Sequence, residues 1–136
     1  MSKGKLIGTR VVLGIWIVLN LLFGLGFLLI PQTMYESFVS GAKEPLTDVI
    51  RALFAIAGTA SITWAVAAGI AFRSPIENRG LLQALIVAMG FYGLLGLYFD
   101  GVVLKAGASA LIIDALYIVL GVVLLFLYPR AEKAAA

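Results

Sequence analysis

The chain has 136 residues, of which 62% are hydrophobic and only 12% charged, and its mean hydropathy is +1.10. Soluble domains are about half apolar and one-quarter charged, so water is not the main solvent of this protein. The net charge of +3 is modest, and its basic residues cluster at segment ends, where they point to membrane orientation and require no nucleic-acid partner.

The sequence contains no cysteine and no histidine. Disulfides, thiolate chemistry, imidazole general-base catalysis and the usual zinc and haem ligands are thereby removed. No catalytic residue, metal ligand or cofactor motif is identified, and enzymatic activity is not expected.

Val11 to Ile30 carries no charge. At about 1.5 Å per residue this run matches a hydrocarbon core of about 30 Å, and it is the first expected membrane span. Lys3, Lys5 and Arg10 precede it as the front of a signal peptide would. The run nevertheless ends in Ile30-Pro31-Gln32 without a small-x-small cleavage pattern, so it is expected to be retained.

The following segment, PQTMYESFVSGAKEPLTD, sets Met34, Tyr35, Phe38 and Val39 at near-helical spacing before the Gly41 and Pro45 breaks. That pattern suits a short interfacial helix or a plain loop. The remaining spans are expected over residues 49–72, 81–99 and 107–128. Polar RSPIENRG, with Pro75 and Gly80 as breakers, separates the second from the third, and Asp100-Gly101 opens the last connection. The predicted fold is an all-α, four-transmembrane-helix bundle forming a single membrane domain over residues 1–136.

Basic-residue bias sets the expected orientation. With the amino terminus inside, Lys3, Lys5, Arg10, Arg73, Arg79, Arg130 and Lys133 fall on the cytoplasmic side, against Lys43, Arg51 and Lys105 outside. Both termini are then cytoplasmic. Glu36, Glu44, Asp48 and Asp100 are assigned outside, in agreement.

Helices in lipid associate through close backbone approach and a few polar contacts, because lipid tails are as apolar as leucine. In the second span Ala57, Ser61, Ala65 and Gly69 recur every four residues beside Ala60, Ala68 and Ala71, predicting a smooth face at the bundle centre. Gly90, Gly93 and Gly96 recur every three residues in the third span. Gly107, Ala110, Asp114, Tyr117 and Gly121 share a face of the fourth. Tyr98 and Tyr128 stand at span ends as interfacial anchors. Trp16 and Trp64 lie deeper, as core or lipid-facing residues or as walls of a cavity.

Asp114 is the residue that plain packing leaves unexplained. It lies about seven residues, hence about 10 Å, inside the fourth span, where a carboxylate is costly and normally faces a partner in the bundle. Arg51, two residues into the second span, is at a compatible depth, with Lys105 and Tyr92 as lesser candidates. One reading is a buried Arg51–Asp114 ion pair that sets helix register. The other is a polar pocket open to the outer leaflet, lined by Arg51, Asp114, Asp100 and Tyr92, that takes a lipid headgroup or a quinone-like ring. Asn20, Thr59, Ser61 and Thr63 are uncharged and can bond across helices or to their own carbonyls.

The chain resembles an uncharacterised bacterial family of four-helix membrane proteins, broadly DoxX-like. The resemblance rests on Gly24 to Pro31 (GLGFLLIP), Arg51-Ala52, Asp100-Gly101 and the acid inside the fourth span, a position where members often carry glutamate. It implies four spans and a multi-pass place in the bacterial inner membrane.

Three functions fit these residues. The first is a non-catalytic accessory or structural subunit of a larger membrane complex, or a self-associating homo-oligomer. The second is a protein that binds a membrane lipid or a quinone in the outer-leaflet pocket. The third is a small dimeric transporter or channel, which the scarcity of polar positions and the lack of a broken helix disfavour.

Overall fold

A computed structural model describes residues 2–39 and 45–129. Gly41, Lys43, Glu44, Arg130 and Lys133, which entered the loop and orientation expectations, lie outside the described residues. Those described form helices α1 (Lys3–Leu29), α2 (Pro31–Phe38), α3 (Asp48–Arg73), α4 (Arg79–Tyr98) and α5 (Ala108–Leu127), with no strand among them. Residues Phe99–Val103 continue α4 as a π-helical turn. Four of these helices are long and apolar enough to cross a membrane.

The boundaries follow local chemistry. Ser2 Oγ accepts from Lys5 N–H at the start of α1, and Thr47 Oγ1 accepts from Ile50 N–H at the start of α3. α1 begins about two turns ahead of the charge-free run because Lys3, Lys5 and Arg10 are helix formers that need no hydrocarbon around them. Pro31 cannot continue α1 and instead opens α2 at its first position, where a missing N–H costs nothing. The segment after the first span therefore begins as a short helix. Gln32 Oε1 accepts from Leu46 N–H and ties α2 to the entry of α3.

At the opposite end, Arg10 reaches from α1 to the last carbonyls of α3. Its Nε donates to Phe72 O and its Nη2 to Arg73 O, both at 3.2 Å. The guanidinium lies 5.8 Å from the centre of the Phe72 ring. A cation donating to the carbonyl end of a helix satisfies orphan acceptors and complements the macrodipole.

The spans pack as two close pairs, α1 with α3 and α4 with α5. Contacts of α1 with α5 and of α3 with α4 close the ring, leaving α3 and α5 across the diagonal. Within the first pair Gly24 and Gly58 face each other: a Cβ on Gly58 would lie 2.8 Å from Gly24 O, and one on Gly24 would lie 3.0 Å from Gly58 O. Within the second, a Cβ on Gly93 would lie 2.7 Å from Asp114 O. Such approach is what joins helices in lipid.

The buried face of α3 is Gly58, Ser61, Ala65, Ala68 and Ala71. The expected stripe only partly coincides with it, since Ala57 is half-buried and Gly69 has open space beside it. At about 100° per residue a strict four-residue repeat drifts by about 40° per step, whereas alternating steps of three and four hold one face. On α4, Gly93 and Gly96 meet α5 while Gly90 would meet nothing. The α5 face holds through Ala110, Asp114, Tyr117 and Gly121, with Gly107 as the residue before the helix.

The apolar core occupies the half of the bundle nearer the chain ends. Leu13 and Trp16 of α1, Leu82, Leu85 and Met89 of α4 and Leu124 of α5 are all fully buried there. The other half holds the buried polar residues Asn20, Ser61 and Asp114.

Candidate functional site

In that second half the two helix pairs leave a partly open cavity of about 260 Å³, to which all five helices contribute. Its polar wall is Asn20 from α1, Ser61 from α3, Tyr92 from α4 and Asp114 and Tyr117 from α5. Its aromatic end is Phe23 and Phe27 from α1 with Phe38 from α2. The Phe38 ring centre stands 5.9 Å from that of Phe27 and 6.1 Å from that of Phe23. The short helix α2 thus closes the cavity with an aromatic cluster, which Phe54 extends at 5.0 Å from Phe27.

The inner wall is equally ordered. Trp16, Tyr92 and Tyr117 form a triangle of edge-on rings, with centres 5.1 Å apart for Trp16–Tyr117, 6.0 Å for Trp16–Tyr92 and 6.2 Å for Tyr92–Tyr117. This arrangement suits ring quadrupoles and holds both tyrosines in place. Asn20 is buried and donates through Nδ2 to Trp16 O at 3.0 Å, a bond to its own helix that fixes the side chain.

Asp114 is 7% exposed, and its Oδ2 is buried with no hydrogen-bond partner. The carboxyl group occupies the space that a side chain on Gly96 would fill. Glycine at that position of α4 is what allows an acid on α5 to sit between the helices. The only titratable carboxyl group found facing Asp114 among the described residues is that of Asp100, in the π-helical turn, and the two acids interact through a side-chain hydrogen bond as well as through charge.

A second depression of about 430 Å³ lies on the outside of α4 and α5, bordered by Phe91, Leu95, Gly96 and Phe99. Phe91, Leu95 and Phe99 are more than half exposed or close to it, so this groove opens on the surface that meets lipid. Tyr92, Asp114 and Tyr117 line both spaces. They form the partition between an inner cavity and an outer groove.

Of the residues singled out by sequence, the structure brings Asp114, Asp100 and Tyr92 together. Arg51 is not with them: it is exposed on the first turn of α3, borders neither space, and makes no ion pair with Asp114. The cause is topological, because α3 and α5 are diagonal and Arg51 would have to cross the bundle. Lys105 is exposed on the connection to α5 and makes no ion pair among the described residues. No family model, curated protein or solved structure matches the chain.

The sequence places Tyr117 on the correct face without a site role and Gly96 only in a packing repeat, and its reading includes neither Phe23 nor Phe27. Phe23, Phe27 and Phe38 do carry a signal, the i, i+4 spacing of two rings on α1 opposite a third on an amphipathic helix. Gly96 carries none until its neighbour on α5 is known. Chemically, the site offers one carboxyl group, two phenols, a hydroxyl and an amide within an apolar, aromatic lining. No group of three or more metal-ligating side chains is found among the described residues.

Proposed function

We propose that this protein is a non-catalytic, multi-pass protein of the bacterial inner membrane that binds a small lipophilic molecule, with the molecule's polar head in the inner cavity and its apolar tail in the outer groove. The observation that carries the reading is Asp114, buried in a membrane-spanning helix with an oxygen that no protein group satisfies, at the wall between the two spaces. An intramembrane acid faced by a second acid and by no cation is costly, and function is the usual reason it is retained. A concave, mostly apolar site with a few convergent polar groups is the general form of a small-molecule pocket. The volume of about 260 Å³ suits a head or a ring, and a tail must continue elsewhere. Both termini are assigned to the cytoplasm, a placement that the basic residues of the α1 start and the α3–α4 connection support. The DoxX-like resemblance agrees with a four-span protein of this kind.

The test is native mass spectrometry of protein taken from its own membranes in mild detergent. A discrete small-molecule mass on the wild type, lost in Asp114→Ala and in the cavity-filling Ala57→Leu, is expected. Protein free of any ligand in all three forms would overturn the proposal.

A second reading, an accessory or self-associating subunit, has its own observation. Ala55, Ile56, Thr59, Ala60 and Thr63 form a smooth depression beside Trp64 on the outer side of α3. Thr59 and Thr63 donate to carbonyls of their own helix and so leave the surface free for another helix. Recovery in a larger assembly at fixed copy number is the result that favours this reading.

A further inference from the structure

The ligand-binding proposal leaves the chemistry of the head open, and the side chains around Asp114 narrow it. Neither the cavity nor the groove is lined by a lysine or an arginine. Arg51 and Lys105 are the basic side chains described at this end of the bundle, and both are exposed away from the two spaces. The charged groups that face the site are two acids, Asp114 and Asp100. A phosphate or carboxylate head that carries no cation of its own would meet repulsion here with nothing to offset it.

A quinone-type ring is also poorly matched. Its carbonyl oxygens can accept from the Tyr92 and Tyr117 phenols but leave the Asp114 carboxyl oxygen without a donor. The unfilled requirement at Asp114 Oδ2 is for a donor or a positive charge. Around it stand the aromatic rings of Phe23, Phe27, Phe38, Tyr92 and Tyr117. Aromatic rings attract a desolvated cation through their quadrupoles, and enclosure by rings is the usual way to hold an ammonium group.

We therefore propose, building on the ligand-binding function above, that the cavity recognises a positively charged amine or quaternary ammonium head on an apolar chain, with Asp114 as its counter-ion and the phenylalanine and tyrosine rings as its enclosure. The head enters between the two helix pairs, and its chain passes the partition of Tyr92 and Tyr117 into the groove bordered by Phe91, Leu95 and Phe99. Asp100, beside Asp114 on the π-helical turn, adds to the negative potential at the entrance without itself lining either space. An ammonium of this kind can belong to a membrane lipid or to a free lipophilic amine.

The test uses full-length protein in dodecyl maltoside micelles, which are uncharged and contain no amine. Radiolabelled decyltrimethylammonium is equilibrated across a dialysis membrane, and binding to protein-free micelles is subtracted. Saturable binding at one site per chain is expected, with Kd raised at least tenfold, about 1.4 kcal/mol, in Asp114→Asn and unchanged in Arg51→Gln. Both variants are first shown to elute as the wild type does. Decylubiquinone is expected not to displace the probe. Displacement by phosphatidylethanolamine but not phosphatidylglycerol identifies a lipid amine as the source, and absence of displacement by either identifies a free amine; both support the cationic head. Absence of saturable binding, equal binding by Asp114→Asn, or displacement by decylubiquinone overturns it. If the cation fails while native mass spectrometry still finds a ligand that Asp114→Ala loses, the cavity function stands and only the charge of the head is wrong. If neither is found, both proposals fall.

Discussion

Gly93→Ala measures how much of the fold rests on the contact between α4 and α5. A Cβ added to Gly93 would meet the side chain of Ile118, and would lie 2.7 Å from Asp114 O and 3.0 Å from Ile118 N. Two of those three atoms are backbone and cannot rotate away. Restoring an ordinary contact near 3.4 Å to Asp114 O would move the helices apart by about 0.7 Å. A gap of about 0.5–1 Å already forfeits about a quarter to a half of the dispersion attraction across an interface, and overpacking a close contact costs about 1–3 kcal/mol. Gly90→Ala is the control, because a Cβ there meets nothing within 4 Å. Both substitutions gain the same helix propensity, about 1 kcal/mol, so the difference between them isolates the contact. Gly93→Ala is expected to be about 1–3 kcal/mol less stable than Gly90→Ala in reversible denaturation in mixed detergent micelles, followed by circular dichroism. Equal stability of the two would refute the close approach of α4 and α5 as the joint of the second helix pair.

Gly58→Ala is expected to show the same loss of about 1–3 kcal/mol at the α1–α3 joint, read in the same denaturation, because its Cβ would lie 2.8 Å from Gly24 O and 2.9 Å from Leu28 Cγ. Asp114→Ala is expected to raise stability by about 1–3 kcal/mol while abolishing ligand retention, since it removes a buried carboxyl oxygen that has no hydrogen-bond partner and separates two facing acids. A destabilised Asp114→Ala would mean that the pairing of Asp114 with Asp100 holds α5 to the π-helical turn. Arg10→Ala is expected to lower stability by about 0.5–1 kcal/mol, an effect that weakens with added salt, because it uncovers the Phe72 and Arg73 carbonyls at a solvated helix end. Thermal melts at low and high ionic strength read that difference.

The spans were legible because each apolar run, with at most one charge inside it, is about as long as a bilayer is thick, and α2 was half-legible because Pro31 and the spacing of Met34, Tyr35 and Phe38 favour a helix where a loop was also possible. What a one-dimensional reading could supply for Asp114 was its depth. Arg51 has a compatible depth, yet depth says nothing about which helices are neighbours. Arg51 lies seven residues before Gly58, about 20° from the same face of α3. Gly58 faces α1, so that face looks toward Gly24 and Leu28 and away from α5. The real surroundings of Asp114 depend on Gly96, whose meaning appears only when α4 and α5 are set side by side. The site was therefore half readable, with the acid, Asp100 and Tyr92 evident from sequence and their aromatic enclosure evident only from assembly.

The position of the cavity follows from where the bulky residues fall. Toward the chain ends, Trp16, Leu82, Leu85, Met89 and Leu124 fill the space between the two helix pairs. Toward the other end, Asn20, Ala57, Ser61 and Ala110 are among the positions that face the middle, each too small or too polar to fill it. The glycines of that half, Gly24, Gly58, Gly93 and Gly96, draw helices together within each pair, and none of them brings the pairs toward each other. Tight joints within pairs and small residues between pairs leave a gap by construction. A sequence selected for stability alone would close it with leucine and would not keep Asp114 at its wall facing a second acid. Cavity and acid together concede stability at one place, and concession of that kind is what a binding function requires.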